Sequence, residues 1–264
     1  MPFEPTDDLV RTEYVTLASG YRISTTSVSP LLQELEAACQ SGAADQVQQI
    51  LERITPLPAH IPGKAQSYLA RCLGVAVEQQ HHHIVRAMLQ RGFLPYLLSN
   101  SGIHAAFQTR NTSMLKTFIE CGWDVNETGP DMSMRPLLRH AVNDALLRSF
   151  LLAHGGNPNT QNSRGLTTLE TAAQWSSADV VKELLDYGGD PTADDCLIHA
   201  AEVGRLDIAK LFVERGANVN ALEKVLPHPW GQRRRRTALD AAIQTNNLEM
   251  VEWLEAHGAT ARNV

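Results

Sequence analysis

The apolar positions of this chain recur at spacings that fit pairs of short amphipathic helices. In the clearest copy, residues 164–192, the side chains of Leu169, Ala172 and Ala173 fall on one face of a first helix. A second stripe at helical spacing follows and consists of Val180, Val181, Leu184 and Leu185. Gly188 comes next, where a glycine commonly ends a helix. This copy therefore predicts a turn and two helices within about 33 residues.

Related stretches occur along most of the chain, and we predict seven copies in tandem. Their predicted bounds are residues 31–54, 69–92, 100–126, 135–159, 164–192, 195–220 and 236–260, all within one repeat domain over residues 30–264. The segments between copies vary in length, and the largest excess is an inserted finger at residues 221–236. Such variation is expected of a repeat array, because each repeat contacts only its neighbours.

Two copies carry details that a structure can check. In the fourth copy, the turn between the helices is predicted to be about two residues shorter than the usual pattern. The apolar stripes of the second helices in the fourth and seventh copies include Leu146 and Leu248, which are therefore expected in the core.

The first 29 residues lie outside the repeated pattern. Residues 14–17 and 21–24 alternate between apolar and polar positions as strands do, with residues 19–20 as the candidate turn between them. We predict an N-terminal tail or cap over residues 1–29.

The repeated residues resemble the ankyrin repeat. That family's pattern is Gly-x-Thr-Pro-Leu-His-x-Ala-Ala followed by a Val-Val-Lys-x-Leu-Leu helix, and residues 165–185 are similar to it. The resemblance covers roughly residues 31–260, strongly in 100–258 and weakly in 31–92. It implies an all-α solenoid of stacked helix-turn-helix units with finger loops, whose concave side commonly binds partners. The implied function is a protein-interaction module, a scaffold or adaptor for another protein or peptide.

Charge, apolar runs and cysteine spacing indicate the kind of partner and the cellular compartment that we expect. The formal net charge of −6 argues against a protein whose main task is to neutralise phosphates, so we expect a protein partner rather than nucleic acid. The acidic start argues against a secretory signal, and no stretch reaches the roughly 18 apolar residues of a membrane span. The four cysteines have no Cys-x-x-Cys spacing, which is typical of reduced thiols in a cytoplasmic or nuclear protein.

Partner-binding residues are expected at the two positions after the paired small residues, because these project toward the concave side in ankyrin-like units. In four copies these positions hold Gln108 and Thr109, Gln174 and Trp175, Glu202 and Val203, and Gln244 and Thr245. Trp175 stands out among mostly polar or small residues, and we predict that its ring anchors a partner side chain. The alternative is that the ring folds back over the turn at residues 176–177.

The inserted finger carries a run of four arginines, Arg233, Arg234, Arg235 and Arg236, shortly after Trp230. Such a run can meet phosphate, an acidic segment of a partner or a nuclear-import receptor. Because Trp and Arg are enriched among interface hot spots, we predict that Trp230 and the four arginines contribute to partner binding. A solvated loop and a nucleic-acid contact are the alternatives.

A second hypothesis places an enzymatic or small-molecule site on the same solenoid, because a fold does not fix a function. Its candidate residues come from first helices and one acidic finger: His104, His140, His199, Asp194 and Asp195. The chain has no Gly-x-Ser-x-Gly, phosphate-loop or His-Glu-x-x-His motif. The consecutive histidines at 81–83 would point about 100° apart on a helix and cannot converge on one ion. We therefore predict no cofactor and no metal, and we favour the non-enzymatic function.

Overall fold

The computed structural model describes residues 10–16, 22–55, 63–93, 102–127, 137–161, 165–192, 195–224 and 235–262. The chain divides into two compact units, Met1–Asp124 and Val125–Val264. The first unit begins with two antiparallel strands, β1 (Val10–Thr16) and β2 (Arg22–Val28), in which Val10 lies opposite Val28. The strand-like alternation of the N-terminal segment is thus confirmed, whereas residues 19–20 lie outside the described residues.

Within its described residues, the first unit continues with six helices. These are α1 (Pro30–Ser41), α2 (Ala44–Ile54), α3 (Gly63–Glu78), α4 (His82–Gln90), α5 (Gly102–Gln108) and α6 (Thr112–Glu120). Helix α3 packs against both α1 and α5, helix α4 packs against both α2 and α6, and strand β2 contacts α3. The core is almost entirely aliphatic, and its fully buried side chains include Leu35, Leu51, Ile84, Leu115 and Phe118.

The described residues of the second unit form eight helices. These are α7 (Leu137–Ala141), α8 (Ala145–Ala153), α9 (Thr168–Trp175), α10 (Ala178–Asp186), α11 (Cys196–Glu202), α12 (Leu206–Glu214), α13 (Ala238–Gln244) and α14 (Leu248–Ala256). Helix α9 packs against α7 and α11, helix α11 also packs against α13, and α10 packs against α12. Small buried residues on the first helices, Ala172, Ala200 and Ala241, leave room for this close packing. The second helices contribute bulkier buried side chains, namely Leu184, Phe212 and Leu254.

Capping interactions fix where these helices begin and end. At the start of α9, Thr167 Oγ1 accepts from the Glu170 N–H at 3.1 Å, and Glu170 Oε2 accepts from the Thr167 N–H at 2.6 Å. This reciprocal pair is a capping box. After α10, Gly188 has a φ of +89°, a left-handed conformation that glycine adopts without steric cost. The helix stop predicted at Gly188 is confirmed.

Asparagine side chains join successive loops of the second unit. Asn159 Nδ2 donates to Gly188 O at 2.9 Å, and Asn159 Oδ1 accepts from the Asp190 N–H at 2.8 Å. Two further asparagines make the same pair of bonds: Asn126 with Gly155 and Asn157, and Asn220 with Gly258 and Thr260. These bonds satisfy loop backbone groups that have no helix or strand partner.

Two details differ from the sequence-based expectation. Helix α7 has 5 residues where α9 has 8, and residues 142–144 separate α7 from α8, so the fourth copy is short in its first helix rather than in its turn. Leu146 and Leu248 are 51% and 73% exposed, although their spacing placed them in the core. Both residues lie in the first turn of their helices and face away from the buried stripe.

Candidate partner-binding site

Trp175 is the last residue of α9 and lies one turn beyond the buried Ala172. Its side chain is 73% exposed, so most of the indole ring is in solvent. Other groups hold the turn that follows it: Ser176 Oγ donates to Asn143 Oδ1 at 3.0 Å, and Ser176 O accepts from Arg205 Nη1 at 2.8 Å. The turn is thus fixed by hydrogen bonds that do not involve the indole ring.

Val203 occupies the corresponding position immediately after α11, the helix that packs against α9. Its side chain is 43% exposed. We refer to these two apolar side chains as the Trp175–Val203 patch. The repeat position of Val203 had placed it among the residues expected to face a partner, but only Trp175 was predicted to act as an anchor.

The other predicted positions of the second unit are polar. Gln174 is half-buried and Gln244 is exposed. Thr245 Oγ1 donates to Ala241 O at 3.1 Å, as a threonine at a helix end commonly does. The apolar patch is therefore flanked by hydrogen-bonding side chains.

Gln108 and Thr109 lie in the first unit, at the end of α5, and both are exposed. Gln108 Nε2 is 2.9 Å from His104 Nε2, and Thr109 Oγ1 donates to Ala105 O at 2.8 Å. Both side chains are engaged with their own helix. Their role in partner binding stays a prediction.

Arg236 closes the base of the inserted finger. Its guanidinium donates to both carboxylate oxygens of Glu223, at 2.9 and 3.2 Å, and Nη1 lies 3.4 Å from Glu202 Oε1 and 3.2 Å from Gln244 Oε1. The backbone N–H of Glu223 also donates to Arg236 O at 2.9 Å. The hydrogen bond from Arg236 holds the pKa of Glu223 below its usual value. We call Glu202, Glu223, Arg236 and Gln244 the finger base.

The contacts of two of the four predicted arginines, Arg235 and Arg236, are described by the structure. Arg235 is exposed, and its guanidinium donates to the carbonyls of Leu222, at 3.0 Å, and of Glu223. Arg236 has the ionic partners given above, a role that sequence reasoning missed because Glu202 and Glu223 lie distant from it in the chain. Arg233, Arg234 and Trp230 lie outside the described residues.

The structure places the alternative histidines in different surroundings. His104 and His140 are exposed, on α5 of the first unit and α7 of the second, whereas only 16% of the His199 side chain on α11 is exposed. Helix α9 packs against both α7 and α11, the helices that carry His140 and His199. No described contact brings His140 and His199 to one point.

Asp195 caps a neighbouring loop. Its carboxylate accepts the Lys224 N–H at 3.0 and 3.2 Å, and burial raises its pKa above the usual value. The adjacent thiol of Cys196 is fully buried, and burial also raises its pKa. A raised pKa keeps a thiol protonated and unreactive. Asp194 lies outside the described residues.

Two kinds of feature are absent from the part of the chain that the structure describes. In the described ranges, no group of three or more His, Cys, Asp and Glu side chains is placed to hold a metal ion. None of the described helices is long and apolar enough to cross a membrane.

Comparison with known families decides what kind of repeat this is. A family model for ankyrin repeats in three copies matches residues 102–195 and 138–223, and a second, for ankyrin repeats in many copies, matches residues 197–255. Together these matches cover more than half of the chain. The chain belongs to the ankyrin-repeat family. Among solved structures, the ankyrin-repeat domain of Bcl-3, a member of the IkappaB protein family, aligns with a TM-score of 0.60 at 20% identity, over 84% of this chain and 97% of that chain. The predicted all-α ankyrin solenoid is confirmed.

Two curated relatives are similar to parts of these ankyrin repeats. The transient receptor potential channel pyrexia of Drosophila melanogaster is 35% identical over 118 residues, which are 42% of this chain and 11% of that protein. The putative ankyrin repeat protein FPV014 of Fowlpox virus (strain NVSL) is 28% identical over 169 residues, 61% of this chain and 31% of that protein. The matches thus span under one third of either relative.

Proposed function

We propose that this chain is a scaffold or adaptor that binds a segment of another protein through the Trp175–Val203 patch. Ankyrin repeats generally act as protein-interaction modules, whose stacked units offer an extended binding surface. The observation that carries the proposal is the 73% exposure of Trp175 at a position where first helices face the expected partner. The free cysteines, three of them buried, support the proposed cytoplasmic or nuclear location.

The energetics of an exposed tryptophan favour a binding role. A Trp side chain buries about 150–250 Å² when it is fully covered, and such side chains are enriched among interface hot spots. Val203 extends the apolar surface onto the neighbouring repeat, while Gln174, Glu202 and Gln244 offer polar groups around it. An apolar centre with a polar rim is the usual anatomy of a protein interface.

The chemistry of the surrounding side chains specifies the kind of segment expected. The patch consists of two exposed apolar side chains on helices that pack against each other, so we expect the partner to present a large apolar or aromatic residue to it. Polar groups on both sides of that residue would bond to the rim. We assign the finger arginines, Arg235 among them, to secondary electrostatic contacts that affect the association rate more than the affinity.

The proposal is tested by identifying the partner and then measuring its affinity. A photoreactive residue in place of Gln174 would crosslink the bound segment in cell extract, and the purified partner would then be titrated calorimetrically. We expect Trp175→Ala to weaken binding about tenfold or more, because it removes a hot-spot side chain, and to leave the melting temperature unchanged.

Tyr187→Ala is the matched control, because Tyr187 is an exposed aromatic residue in the same repeat but at the end of the second helix. It should leave the affinity unchanged. If Trp175→Ala binds as tightly as the wild type, the anchor lies elsewhere. A large fall in the melting temperature of Trp175→Ala would instead assign the ring a structural role.

A further inference from the structure

His199 is a largely buried side chain for which the described residues supply no hydrogen-bond partner. It lies on α11, and both of its ring nitrogens are buried and unpaired among the described residues. A buried polar group that makes no hydrogen bond lowers the stability of the fold, so its presence calls for a physical reason. A carboxylate oxygen, Glu202 Oε2, lies 3.6 Å from its Nδ1.

The carboxylate of Glu202 lies between two cationic or potentially cationic groups. Its Oε2 is 3.6 Å from His199 Nδ1, and its Oε1 is 3.4 Å from Arg236 Nη1. Both distances exceed the roughly 2.8 Å of a good charge-assisted hydrogen bond. A shift of less than about 1 Å would therefore form a full bond to one group and weaken the contact to the other.

The charges around His199 come from its own helix, from the finger base and from the helices packed on α11. Asp195 precedes the helix, and Glu223 and Arg236 belong to the finger base. Helices α9, α12 and α13 also pack on α11. Helix α9 carries the buried Glu170, and α13 carries the buried Asp240. At the start of α12, Arg205 pairs with Asp207.

Most of these other charges already have partners. Glu170 and Asp240 accept backbone N–H groups in capping boxes, as described for α9. Among the described residues, the acidic groups that interact with His199 are Asp195, Glu202 and Glu223, and Arg236 pairs with the last two.

We propose that His199 is a proton-responsive element that controls the finger base. When the imidazole takes up a proton, its Nδ1–H attracts Glu202 away from Arg236. Arg236 then keeps only Glu223 and Gln244, and the base of the inserted finger loosens. Histidine side chains change charge between about pH 5 and pH 8, so the change falls in a range that cells use. Its effect on partner binding rests on the function proposed above, because Glu202 lies beside Val203, but the change in the finger base does not.

Hydrogen exchange tests this device without any partner. The probe is the amide of Glu223, whose N–H donates to Arg236 O across the finger base. In the wild type, we expect its protection factor, corrected for the intrinsic pH dependence of exchange, to fall about threefold or more between about pH 8 and about pH 5.5. The His199 ring signals, followed by NMR over the same pH series, should change together with the loss of protection.

Two variants and one control test whether the pH dependence of this protection factor requires His199 and Glu202. His199→Gln and Glu202→Gln each remove one half of the pair, and both should show a protection factor that does not change over this pH range. His140→Gln, which alters an exposed histidine on α7, should behave as the wild type. A wild-type protection factor that is constant with pH overturns the proposal, as does an unaltered pH dependence in a folded His199→Gln or Glu202→Gln protein. Failure of the Trp175→Ala binding test would leave these expectations intact, so the two proposals can fail separately.

Discussion

At the scale of single residues, Arg148 occupies a position that neighbouring repeats fill with an apolar side chain. It is the fourth residue of α8, where α10 has Val181 and α12 has Ala209, both fully buried. Arg148 is itself buried: Nη1 donates to Val142 O at 2.6 Å, and Nε donates to Glu183 Oε2 at 2.7 Å. Val142 directly follows the short helix α7. The guanidinium thus satisfies a carbonyl that a longer first helix bonds to a backbone N–H, as Ala201 O bonds to the N–H of Gly204 at 3.2 Å.

The buried charge of Arg148 makes Glu183 important for stability. Glu183→Gln leaves the guanidinium without its counter-ion, and breaking a buried pair in this way typically costs about 3–5 kcal/mol. Glu183 is partly exposed, so we expect a loss of about 2–4 kcal/mol in the free energy of unfolding, measured by urea denaturation. The control is Glu120→Gln, which breaks the exposed pair between Arg86 and Glu120 and should cost much less. Equal losses in the two variants would show that the burial of Arg148 does not increase the stability lost when its ion pair with Glu183 is broken.

Asp195 and Glu223 should influence the pH dependence of stability with opposite signs. Burial raises the pKa of Asp195 above 3.8, so the folded state holds its proton more tightly than the unfolded chain does. Ionised Asp195 therefore opposes folding at neutral pH, and this penalty disappears as the pH falls toward 3.8. We expect Asp195→Asn to have a higher free energy of unfolding than the wild type at pH 7, with a gap that closes in acid.

The pKa of Glu223 is shifted in the opposite direction to that of Asp195. Arg236 lowers its pKa, so ionised Glu223 stabilises the fold above the unfolded value of 4.5, and this stability is lost as the pH falls through the folded pKa. Glu223→Gln should thus be less stable than the wild type at pH 7, again with a gap that closes in acid. Denaturation curves for both variants at several pH values check the signs. A destabilised Asp195→Asn protein at pH 7 would contradict the burial effect.

At the scale of elements, the helices could be predicted because their signal is local. The stripe from Val180 to Leu185 and the stop at Gly188 lie within a few residues of each other, and the structure has α10 where they indicate it. The short first helix of the fourth repeat could not be predicted in the same way. A two-residue deletion can shorten a helix or a turn, and the choice depends on whether a side chain of the next helix, here Arg148, can satisfy the freed carbonyl of Val142.

The asparagine bonds between loops should control the local stability of the last repeat. Asn220 Nδ2 donates to Gly258 O at 2.9 Å, and its Oδ1 accepts from the Thr260 N–H at 2.8 Å, so it ties the chain after α14 to the preceding loop. Asn220→Ala removes both bonds. We expect faster hydrogen exchange in α14, while exchange in α10 is unchanged, because each repeat depends mainly on its neighbours.

A matched change tests whether the effect is specific to this bond. Asn218 Oδ1 accepts only from the N–H of Asn220 among its described bonds, within the same loop. Asn218→Ala should therefore leave exchange in α14 close to the wild-type rate. If both variants accelerate exchange equally, the bonds of Asn220 to Gly258 and Thr260 have no special role.

At the scale of the whole molecule, the site was less predictable than the fold. The resemblance to ankyrin repeats indicated which positions are expected to face a partner, and Trp175 is exposed at one of them. It could not indicate that Arg236 pairs with Glu202 of the preceding repeat and with Glu223 at the other end of the finger, because these residues meet only in the folded chain. Local periodicity is enough to predict a repeat, whereas charge pairing depends on the lengths and paths of the loops between repeats.

The stability of the second unit should depend on which leucines of its second helices are buried. Leu184 on α10 is fully buried, whereas Leu248 on α14 is 73% exposed, although sequence spacing places both on apolar stripes. Leu184→Ala leaves a cavity and should lower the free energy of unfolding by about 2–5 kcal/mol. Leu248→Ala makes the same chemical change on the surface and should alter it by less than about 0.5 kcal/mol. Thermal and urea denaturation of the two variants, compared under one set of conditions, measure the difference. A substantial loss in Leu248→Ala would mean that this side chain is covered in solution, either by the chain itself or by a second copy, and a loss that grows with protein concentration would identify the second copy.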